Sequence, residues 1–368
     1  MPKSKEVYMV IGGSGFLGRH VVQQLLDRGD SVCALDIVQR YFDVPFYSGD
    51  ITNIDDVSNA LRKSGTTCII HTASPPAGLK DSSLYFRVNV DGTKAVIDAA
   101  VGVGVRKLVF TSSAGVVFNG GDIVNVDERL PYPQVPLDAY NDSKAKAEQV
   151  VLEANGKGGL LTVALRPAGI FGPGDRQVMT GLYKVYEENK THFQIGDNTN
   201  LFDWTYVGNV AKAHLLAADR LDLPPSAAPL SEKEELRNLD SNPLQVAGQT
   251  FFITNGEPCY FWDFPRMVWY QLDKYFLGYR KPRSVFQMPK AVGLAAATGA
   301  EWFGMISGKE PAFTRFKVTF SCAKRWHNIE KARRVLDYEP DVGIEEGIKL
   351  MVEWWYEEYK KGNHKQKH

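Results

Sequence analysis

Short, uniformly apolar runs alternate with amphipathic stretches through the first half of this chain. The apolar runs predict strands at 7–13, 31–37, 45–51, 67–73, 107–113, 161–167 and 250–255. The stretches between them predict a helix that ends near residue 28 and further helices at 53–64, 82–104, 137–155 and 206–221. Strands that are apolar on both faces and separated by helices are typical of a parallel sheet covered on both sides. The pattern therefore predicts an α/β fold with a doubly wound parallel sheet.

Three glycines directly follow the first predicted strand. In the stretch VIGGSGFLGRH, Gly12, Gly15 and Gly18 are spaced three residues apart, and Phe16 and Leu17 open the amphipathic helix behind them. Glycine permits a tight turn and lets a pyrophosphate approach backbone N–H groups, while the N-terminus of the helix adds partial positive charge. Strand, glycines and helix in this order predict the dinucleotide-binding turn of a Rossmann fold.

An acidic residue at the end of the second strand completes this pattern. Asp36 lies 18 residues after Gly18, where its carboxylate can accept both ribose hydroxyls of an adenosine. This favours NAD over NADP, although the nearby Arg40 leaves NADP as an alternative. The ends of the third and fourth strands are expected beside adenine and pyrophosphate, which predicts cofactor contacts from Asp50, Ile51, Ala73 and Ser74. The structural alternative is an ordinary glycine turn with strand-ending loop residues.

Tyr140 and Lys144 lie four residues apart in PLDAYNDSKAKAEQ and therefore share one face of a predicted helix. A phenol has an ordinary pKa of about 10 and is a poor base at neutral pH unless a cation stabilises the phenolate. A lysine ammonium and a positively charged nicotinamide both do this. Ser113 or Ser112, at the end of the fifth strand, is expected to hydrogen-bond the substrate oxygen, because ligands bind at that edge of such sheets. The pair also fits an ordinary amphipathic helix, but the glycine turn and the serine-rich strand end favour catalysis.

The chain changes in composition beyond its first half. Residues 1–180 are predicted to form the dinucleotide-binding core, to which a strand near 250–255 returns. Residues 181–368 are predicted to form a smaller, mostly helical substrate-binding region. Within it, 221–248 is rich in Pro, Ser and charge and predicts a mobile surface excursion. The basic end, 361–368, predicts a disordered tail.

Composition excludes several classes of protein. The chain has 368 residues, 44% of them hydrophobic, which is ample for a large core. Basic and acidic residues are equal in number, 43 each, so no electrostatic case for nucleic acid exists. The four cysteines form no CxxC pair and the seven histidines do not cluster with them, which disfavours disulfide frameworks and metal sites. No charge-free apolar run of about 20 residues predicts a spanning helix.

One long apolar stretch, residues 288–308, has two interpretations. It carries only Glu301 after Lys290, and Trp302, Phe303 and Met305 stand near its end. One interpretation is a buried helix. The other is a helix that lies in a membrane interface, with aromatic side chains at the level of the lipid headgroups.

Most of the chain, residues 7–360, resembles the extended short-chain dehydrogenase/reductases. The resemblance rests on GGSGFLG, Asp36, GDI, TSSAGV, YNDSK and LRPAGIFGPGD. It implies Ser113, Tyr140 and Lys144 as the catalytic set. It also implies cofactor contacts at the end of the fifth strand and in the stretch that follows the sixth, from Thr111, Pro167, Gly169 and Ile170.

Further segments, among them ASPP, TSSAGVVFNG and GQTFFITNGEP, resemble the sterol-4α-carboxylate 3-dehydrogenases (decarboxylating), especially the fungal ones of ergosterol synthesis. The resemblance implies that the Tyr140 phenolate takes the proton of a sterol 3β-hydroxyl, that hydride passes from C3 to the nicotinamide, and that Ser113 binds the oxygen. The resulting β-keto acid loses CO₂. A carboxylate in an apolar pocket needs a cation, and Arg176 is the candidate, with a surface role at a helix start as the alternative.

The resemblance also implies a setting in the cell. The substrate would be a 4α-carboxysterol, the partners other sterol C4-demethylation enzymes, and the location the endoplasmic reticulum membrane, with peripheral attachment and the active site facing the cytosol. Such a substrate favours the membrane-interface interpretation of 288–308. The oligomeric state is left open, with a homodimer as one option. A 3β-hydroxysteroid dehydrogenase and a sugar-nucleotide epimerase are the enzyme alternatives. A non-catalytic NAD-binding regulator is disfavoured because both Tyr140 and Lys144 are present.

Overall fold

A computed structural model describes residues 1–222, 245–281, 283–308 and 313–365. Its strands are β1 Val7–Ile11, β2 Ser31–Asp36, β3 Phe46–Ser48, β4 Cys68–His71, β5 Lys107–Thr111, β6 Ile123–Val126, β7 Leu161–Pro167, β8 Gly169–Phe171, β9 Phe193–Ile195, β10 Leu201–Phe202, β11 Trp204–Tyr206, β12 Thr250–Ile253, β13 Cys259–Tyr260, β14 Phe286–Met288 and β15 Arg325–His327. Its helices are α1 Phe16–Asp27, α2 Ile54–Ser64, α3 Ser82–Tyr85, α4 Thr93–Val103, α5 Ala139–Glu153, α6 Val178–Glu187, α7 Val207–Arg220, α8 Asp263–Asp273, α9 Lys290–Ser307, α10 Arg315–Cys322, α11 Glu330–Leu336 and α12 Ile344–Lys365.

A seven-stranded parallel sheet carries the first half of the chain, in the order β12-β7-β5-β4-β1-β2-β3. Alternate side chains of β1 enter two separate cores: Tyr8 and Val10 pack with α1 and α7, while Met9 and Ile11 pack with α2, α4 and α5. Both faces of the strand are thus buried, which explains its unbroken apolar sequence. The predicted doubly wound α/β fold is confirmed, including the strand that returns at Thr250–Ile253.

The predicted helices form where local signals start and stop them. Asn53 caps α2 by accepting the N–H of Asp55, and Gly65 ends that helix in a left-handed conformation. Asp138 caps α5 by accepting the N–H of Asn141 at 2.8 Å. The helix predicted at 82–104 is interrupted, because a π-helical segment at Phe86–Gly92 separates α3 from α4.

The second half of the chain is mostly helical, as predicted, and it also contains short strands that the sequence did not reveal. β13, β10, β15 and β6 form a four-stranded sheet, and two further pairs join β11 to β8 and β14 to β9. Two of these strands, β6 and β8, come from the first half of the chain. The first half therefore takes part in the small sheets that support the region beyond residue 180.

The predicted tail and the predicted excursion of the second half are only partly covered by the described residues. Residues 361–365, which fall within the predicted disordered tail 361–368, continue α12. Lys360 and Lys361 pair with Glu357 and Glu358 there, and cations are favourable at the end of a helix. Most of the predicted mobile excursion, 223–244, lies outside the described residues, as does 366–368. Within the described part of the chain, no helix has the length and apolar character to cross a bilayer.

Candidate active site

The glycine turn between β1 and α1 is built by close backbone packing. Gly12 has a φ of +83°, which only glycine adopts readily. A Cβ atom on Gly18 would lie 2.1 Å from the carbonyl oxygen of Gly12, so the helix rests directly on the turn. No side chain caps α1 at Gly15. The first-turn N–H groups at Phe16 and Leu17 are therefore left without a side-chain acceptor, as a phosphate-binding helix N-terminus requires.

Asp36 lies at the end of β2 beside this turn. Its two carboxylate oxygens accept the N–H groups of Ser14 at 3.0 Å and Ile37 at 2.8 Å, which orient the carboxylate. Arg40 donates to the carbonyl oxygen of Ser14 at 3.1 Å and so stands on the same side of the turn. The Asp36 carboxylate disfavours the 2′-phosphate of NADP, and the Arg40 guanidinium favours it. The geometry of the turn is therefore compatible with both NAD and NADP.

Replacing Asp36 with alanine is expected to shift cofactor preference towards NADP. A carboxylate that binds two ribose hydroxyls contributes about 1.5–3 kcal/mol per charged hydrogen bond, so the NAD/NADP ratio of kcat/KM should fall by about tenfold or more. Steady-state kinetics with each cofactor measure it. Asp36→Asn is the matched control, because it removes the charge but keeps an acceptor for Ser14. An unchanged ratio in Asp36→Ala would contradict the ribose assignment.

The remaining predicted cofactor residues of the first four strands lie around the same edge. Asp50 is exposed and accepts the N–H and hydroxyl of Thr52 at 2.9 and 2.8 Å. Ile51 is buried. Ala73 lies against the turn, because its backbone nitrogen would be 2.7 Å from a Cβ on Gly12. The next residue, Ser74, donates its hydroxyl to the carbonyl oxygen of Pro75 at 3.2 Å and stands near enough to Tyr140 to lower the pKa of that phenol. The loop after β4 thus connects the glycine turn to the predicted catalytic tyrosine.

Lys144 is buried in the first half of α5, next to the end of β5. Its Nζ donates to the carbonyl oxygen of Thr111 at 2.8 Å and lies 4.9 Å from the ring centroid of Phe110. Burial lowers the pKa of Lys144 to about 7, against the opposing pull of Glu148. The structure therefore brings the lysine to the carboxyl edge of the sheet.

Tyr140 is partly buried at the start of the same helix. Its ring packs edge-on against Tyr85, with centroids 5.5 Å apart. Burial, followed by the charges of Asp138 and Tyr85, raises the pKa of Tyr140 to about 12, against a lowering by Ser74. The phenol is thus protonated at neutral pH in the free protein. It can act as a base only when additional positive charge stands beside it.

Ser113 begins a short 3₁₀ helix, Ala114–Val117, immediately after β5. Its Oγ accepts the N–H of Gly115 at 3.0 Å, which leaves its own proton free to be donated. A Cβ on Gly115 would lie 2.1 Å from Oδ1 of Asn141, so this turn is pressed against the residue that follows Tyr140. Ser112 is buried, and its Oγ has no partner among the described residues. Of the two serines, Ser113 is the more accessible one.

The stretch after Pro167 runs from the sheet across the glycine turn. β8 begins at Gly169 and pairs Gly169 with Trp204 and Ile170 with Thr205. The following loop then packs on α1, where the carbonyl oxygen of Pro173 lies 2.7 Å from Nε2 of His20. This loop therefore lies beside the dinucleotide turn.

Arg176 ends this loop as an exposed side chain without a hydrogen bond or ion pair to another described residue. Its neighbour Asp175, which sequence reasoning missed, is buried and accepts the N–H groups of Gln177 and Val178, just before and at the start of α6, at 2.8 and 3.0 Å. Burial raises the pKa of Asp175 to about 6. No described contact joins Arg176 to Ser113 or Tyr140, so its predicted substrate role stays a prediction.

An apolar cavity of about 590 Å³ begins at Gln177, directly after Arg176. Its walls come mainly from α6, β9, β11 and α8, and include Leu182, Val185, Phe193, Trp204, Phe261 and Trp269. Trp204 is the strand partner of Gly169, so the cavity wall continues from the stretch beside the glycine turn. Sequence reasoning did not predict this cavity. The high density of aromatic residues at 260–276 is the sequence feature that could have indicated it.

A glycine turn, a Tyr–Lys helix and a serine at the carboxyl edge of a doubly wound sheet are the parts of an NAD(P)-dependent oxidoreductase. Comparison with known families makes the class specific. A family model described as the 3-beta hydroxysteroid dehydrogenase/isomerase family matches residues 9–282, and the chain belongs to that family.

Similar relatives agree with this membership, and a solved structure shares the fold. The chain is 45% identical to the sterol-4-alpha-carboxylate 3-dehydrogenase, decarboxylating, of Saccharomyces cerevisiae, over 94% of this chain and 97% of the relative. It is 37% identical to the enzyme of that name from Mus musculus, over 94% and 89%. The UDP-glucose 4-epimerase of Thermus thermophilus, solved in complex with NAD, is 23% identical, with a TM-score of 0.65 over 95% of this chain and 98% of that one, which shows the shared fold. The resemblance inferred from the sequence is confirmed.

Proposed function

We propose that this chain oxidises the 3β-hydroxyl of a 4α-carboxysterol with NAD(P), and that the product loses its C4 carboxyl group as CO₂. The observation that carries the proposal is the hydrogen bond from Lys144 to the carbonyl oxygen of Thr111, because it holds the helix face of Tyr140 and Lys144 at the same edge of the sheet as Ser113. Relatives 45% identical over nearly the whole chain support the substrate class. The apolar cavity suits a sterol better than a sugar nucleotide, which needs polar partners.

Lys144, Tyr140 and Ser113 have different roles in the oxidation. When bound, the oxidised cofactor supplies the hydride acceptor and a positive charge. Together with the protonated form of Lys144, that charge would favour the phenolate of Tyr140, which would then take the proton of the sterol hydroxyl. Ser113 donates its free proton to the same oxygen as it becomes a carbonyl, which stabilises the charge that develops there.

The loss of CO₂ follows from the structure of the product. A ketone at C3 lies beta to the carboxylate, so the electrons of the breaking carbon–carbon bond collect in an enolate. Ser113 and the protonated Tyr140 stand beside the enolate oxygen and stabilise it. A proton from water then adds at C4 and gives the 3-ketone. This step needs no residue beyond those that hold the 3-oxygen.

The proposal is tested with purified protein, NAD⁺ and a 4α-carboxysterol, by following NADH and CO₂ together. Equal amounts of both products are expected. NADH without CO₂ would mean that the keto acid persists and that decarboxylation is not part of the activity. A folded protein that binds NAD⁺ but forms neither product would contradict the proposal and favour simple 3β-hydroxysteroids or sugar nucleotides as substrates.

We further propose peripheral attachment to the endoplasmic reticulum membrane on its cytosolic side, with other sterol C4-demethylation enzymes as partners and a homodimer as the assembly to test. The support is α9, in which only Gly293, Ala297 and Gly304 are buried. Most of its large apolar side chains are exposed: Val292, Trp302, Phe303, Met305 and Ile306. Such a face is typical of a helix that lies in a membrane interface.

Replacing Trp302 and Phe303 together with serine is expected to release the protein from lipid vesicles. Each ring contributes about 1.5–3 kcal/mol when it is removed from water, so the partition coefficient should fall by about tenfold or more. Vesicle flotation measures it. Val135→Ser is the control: it changes an exposed apolar residue in the loop before α5 and should not alter binding to the vesicles. Equal flotation of the double variant would contradict the proposed membrane face.

A further inference from the structure

Arg325, at the start of β15, is a buried cation enclosed by aromatic rings. Its guanidinium carbon lies 4.0 Å from the ring centroid of Phe118, 4.8 Å from that of Phe320 and 5.3 Å from that of Phe202. The residue is only 8% exposed. Its Nε is fully enclosed without a hydrogen-bond partner, and its side chain forms no hydrogen bond or ion pair within the described ranges. Rings can cover the faces of a guanidinium, but its N–H bonds lie in its plane and need acceptors.

The two carboxylates that raise the pKa of Arg325, those of Asp203 and Asp138, form hydrogen bonds with other groups. Asp203 accepts the backbone N–H and the ring Nδ1 of His327 at 2.7 and 3.0 Å. Asp138 accepts the N–H of Asn141 as the cap of α5. Burial lowers the pKa of Arg325 to about 10, while Asp203 and Asp138 pull it upwards, so the side chain remains charged at neutral pH. A buried cation with unused donors is costly, and an anion that reaches it would satisfy both charge and donors.

The position of Arg325 connects it to the site already described. Phe118 follows the 3₁₀ helix that Ser113 begins, and Asp138 stands two residues before Tyr140. On the other side, the ring of Phe202 lies 4.9 Å from Trp204 and 5.4 Å from Phe261, both of which line the apolar cavity. The rings around the guanidinium thus come from the segment that follows the Ser113 turn and from a side chain that packs on two residues of the cavity wall, while Arg325 itself does not line the cavity.

We propose that Arg325 binds the carboxylate of the substrate and thereby selects carboxylated sterols. This inference rests on the proposed function. In a 4α-carboxysterol the carboxylate is attached to the carbon next to C3, so its binding group must stand close to the groups that hold the 3-oxygen. A guanidinium matches a carboxylate with two parallel hydrogen bonds. The exposed Arg176 lacks this enclosure, and water would screen its charge.

The test compares two substrates: a 4α-carboxysterol and the same 3β-hydroxysterol with a 4α-methyl group in place of the carboxylate. In Arg325→Met, kcat/KM for the carboxylated sterol is expected to fall by about 30-fold or more, while that for the methyl sterol changes by less than about threefold. Arg325→Lys should recover part of the loss, because it restores the charge without the paired donors. An equal fall on both substrates would mean a structural role and overturn the inference, as would no fall on either.

Controls separate this result from folding and from the proposed function. Methionine fills the aromatic enclosure without a charge, so the fold is expected to persist, and thermal unfolding with NAD⁺ titration checks it. If Arg325→Met does not fold, Arg325→Lys provides the test. A fall in kcat/KM for the carboxylated sterol alone supports the inference, and an equal fall for both sterols overturns it. Arg62→Met, at an exposed site on α2, should change neither substrate.

Two further outcomes distinguish the proposals. A wild-type protein inactive on the carboxylated sterol would overturn the proposed function and this inference together. An active wild type with an unaffected Arg325→Met would overturn only the inference. A selective loss in Arg176→Met, with none in Arg325→Met, would assign the carboxylate to Arg176 instead.

Discussion

Replacing Tyr140 with phenylalanine is expected to abolish turnover of the carboxysterol and leave dinucleotide binding intact. The phenol exchanges a proton with substrate, and removing such a group lowers kcat by about 10³-fold. The ring itself packs on Tyr85, and phenylalanine keeps that contact. Formation of NADH measures turnover, and an equilibrium titration with NAD⁺ measures binding.

Tyr338→Phe is the matched control for this experiment. Tyr338 is fully buried and donates its hydroxyl to the carbonyl oxygen of Thr254 at 2.9 Å. Losing that hydrogen bond should lower the free energy of unfolding by about 1 kcal/mol and leave kcat unchanged. If Tyr140→Phe also lost its affinity for NAD⁺, or kept its turnover, the catalytic assignment would be wrong.

Replacing Gly18 with alanine should have the second large effect, on cofactor binding. The new Cβ would lie 2.1 Å from the carbonyl oxygen of Gly12 and 2.9 Å from Oγ1 of Thr72. The closer of these atoms belongs to the backbone, so α1 must move away from the turn. We expect affinity for NAD⁺ to fall by about 10²-fold and the free energy of unfolding to fall by about 1–3 kcal/mol. Calorimetric titration and denaturant unfolding measure the two effects.

Gly102→Ala is the control for this substitution. Gly102 lies in α4, and a Cβ there would meet nothing within 4 Å. Alanine is the better helix former, so this variant should be more stable by about 0.5–1 kcal/mol and should bind NAD⁺ normally. Unchanged affinity in Gly18→Ala would show that the turn can relax, and the close-packing argument would fail.

Much of the candidate site could be predicted because its members are close in sequence or lie at strand ends. Tyr140 and Lys144 are one helical turn apart, and Gly12, Gly15 and Gly18 form one turn. Parallel strands place their carboxyl ends at one edge, which brings the residues after β2, β4 and β5 together whatever the details of packing.

Other features could not be predicted because they depend on contacts between distant segments. In the sequence, nothing distinguishes Arg325 from the other charged residues. It becomes a buried cation only because β15 packs against Phe118 and Phe202. The strands β10, β11 and β13 have two or three residues each, too few to show a period. The cavity likewise requires α6, β9 and α8 to be packed together before its volume exists.

The sequence by itself determined the sheet, the glycine turn and the pairing of Tyr140 with Lys144, because hydrophobic period, glycine conformation and helical spacing act over a few residues. It left Ser112 and Ser113 as alternatives, and the family resemblance implied Ser113. Only the tertiary structure decided which carbonyl oxygen accepts the hydrogen bond of Lys144 and how burial shifts the pKa values of Lys144 and Tyr140. It also decided which arginine is enclosed by aromatic rings. These properties are set by exclusion of water and by distances between segments far apart in the chain, and neither is encoded in local sequence.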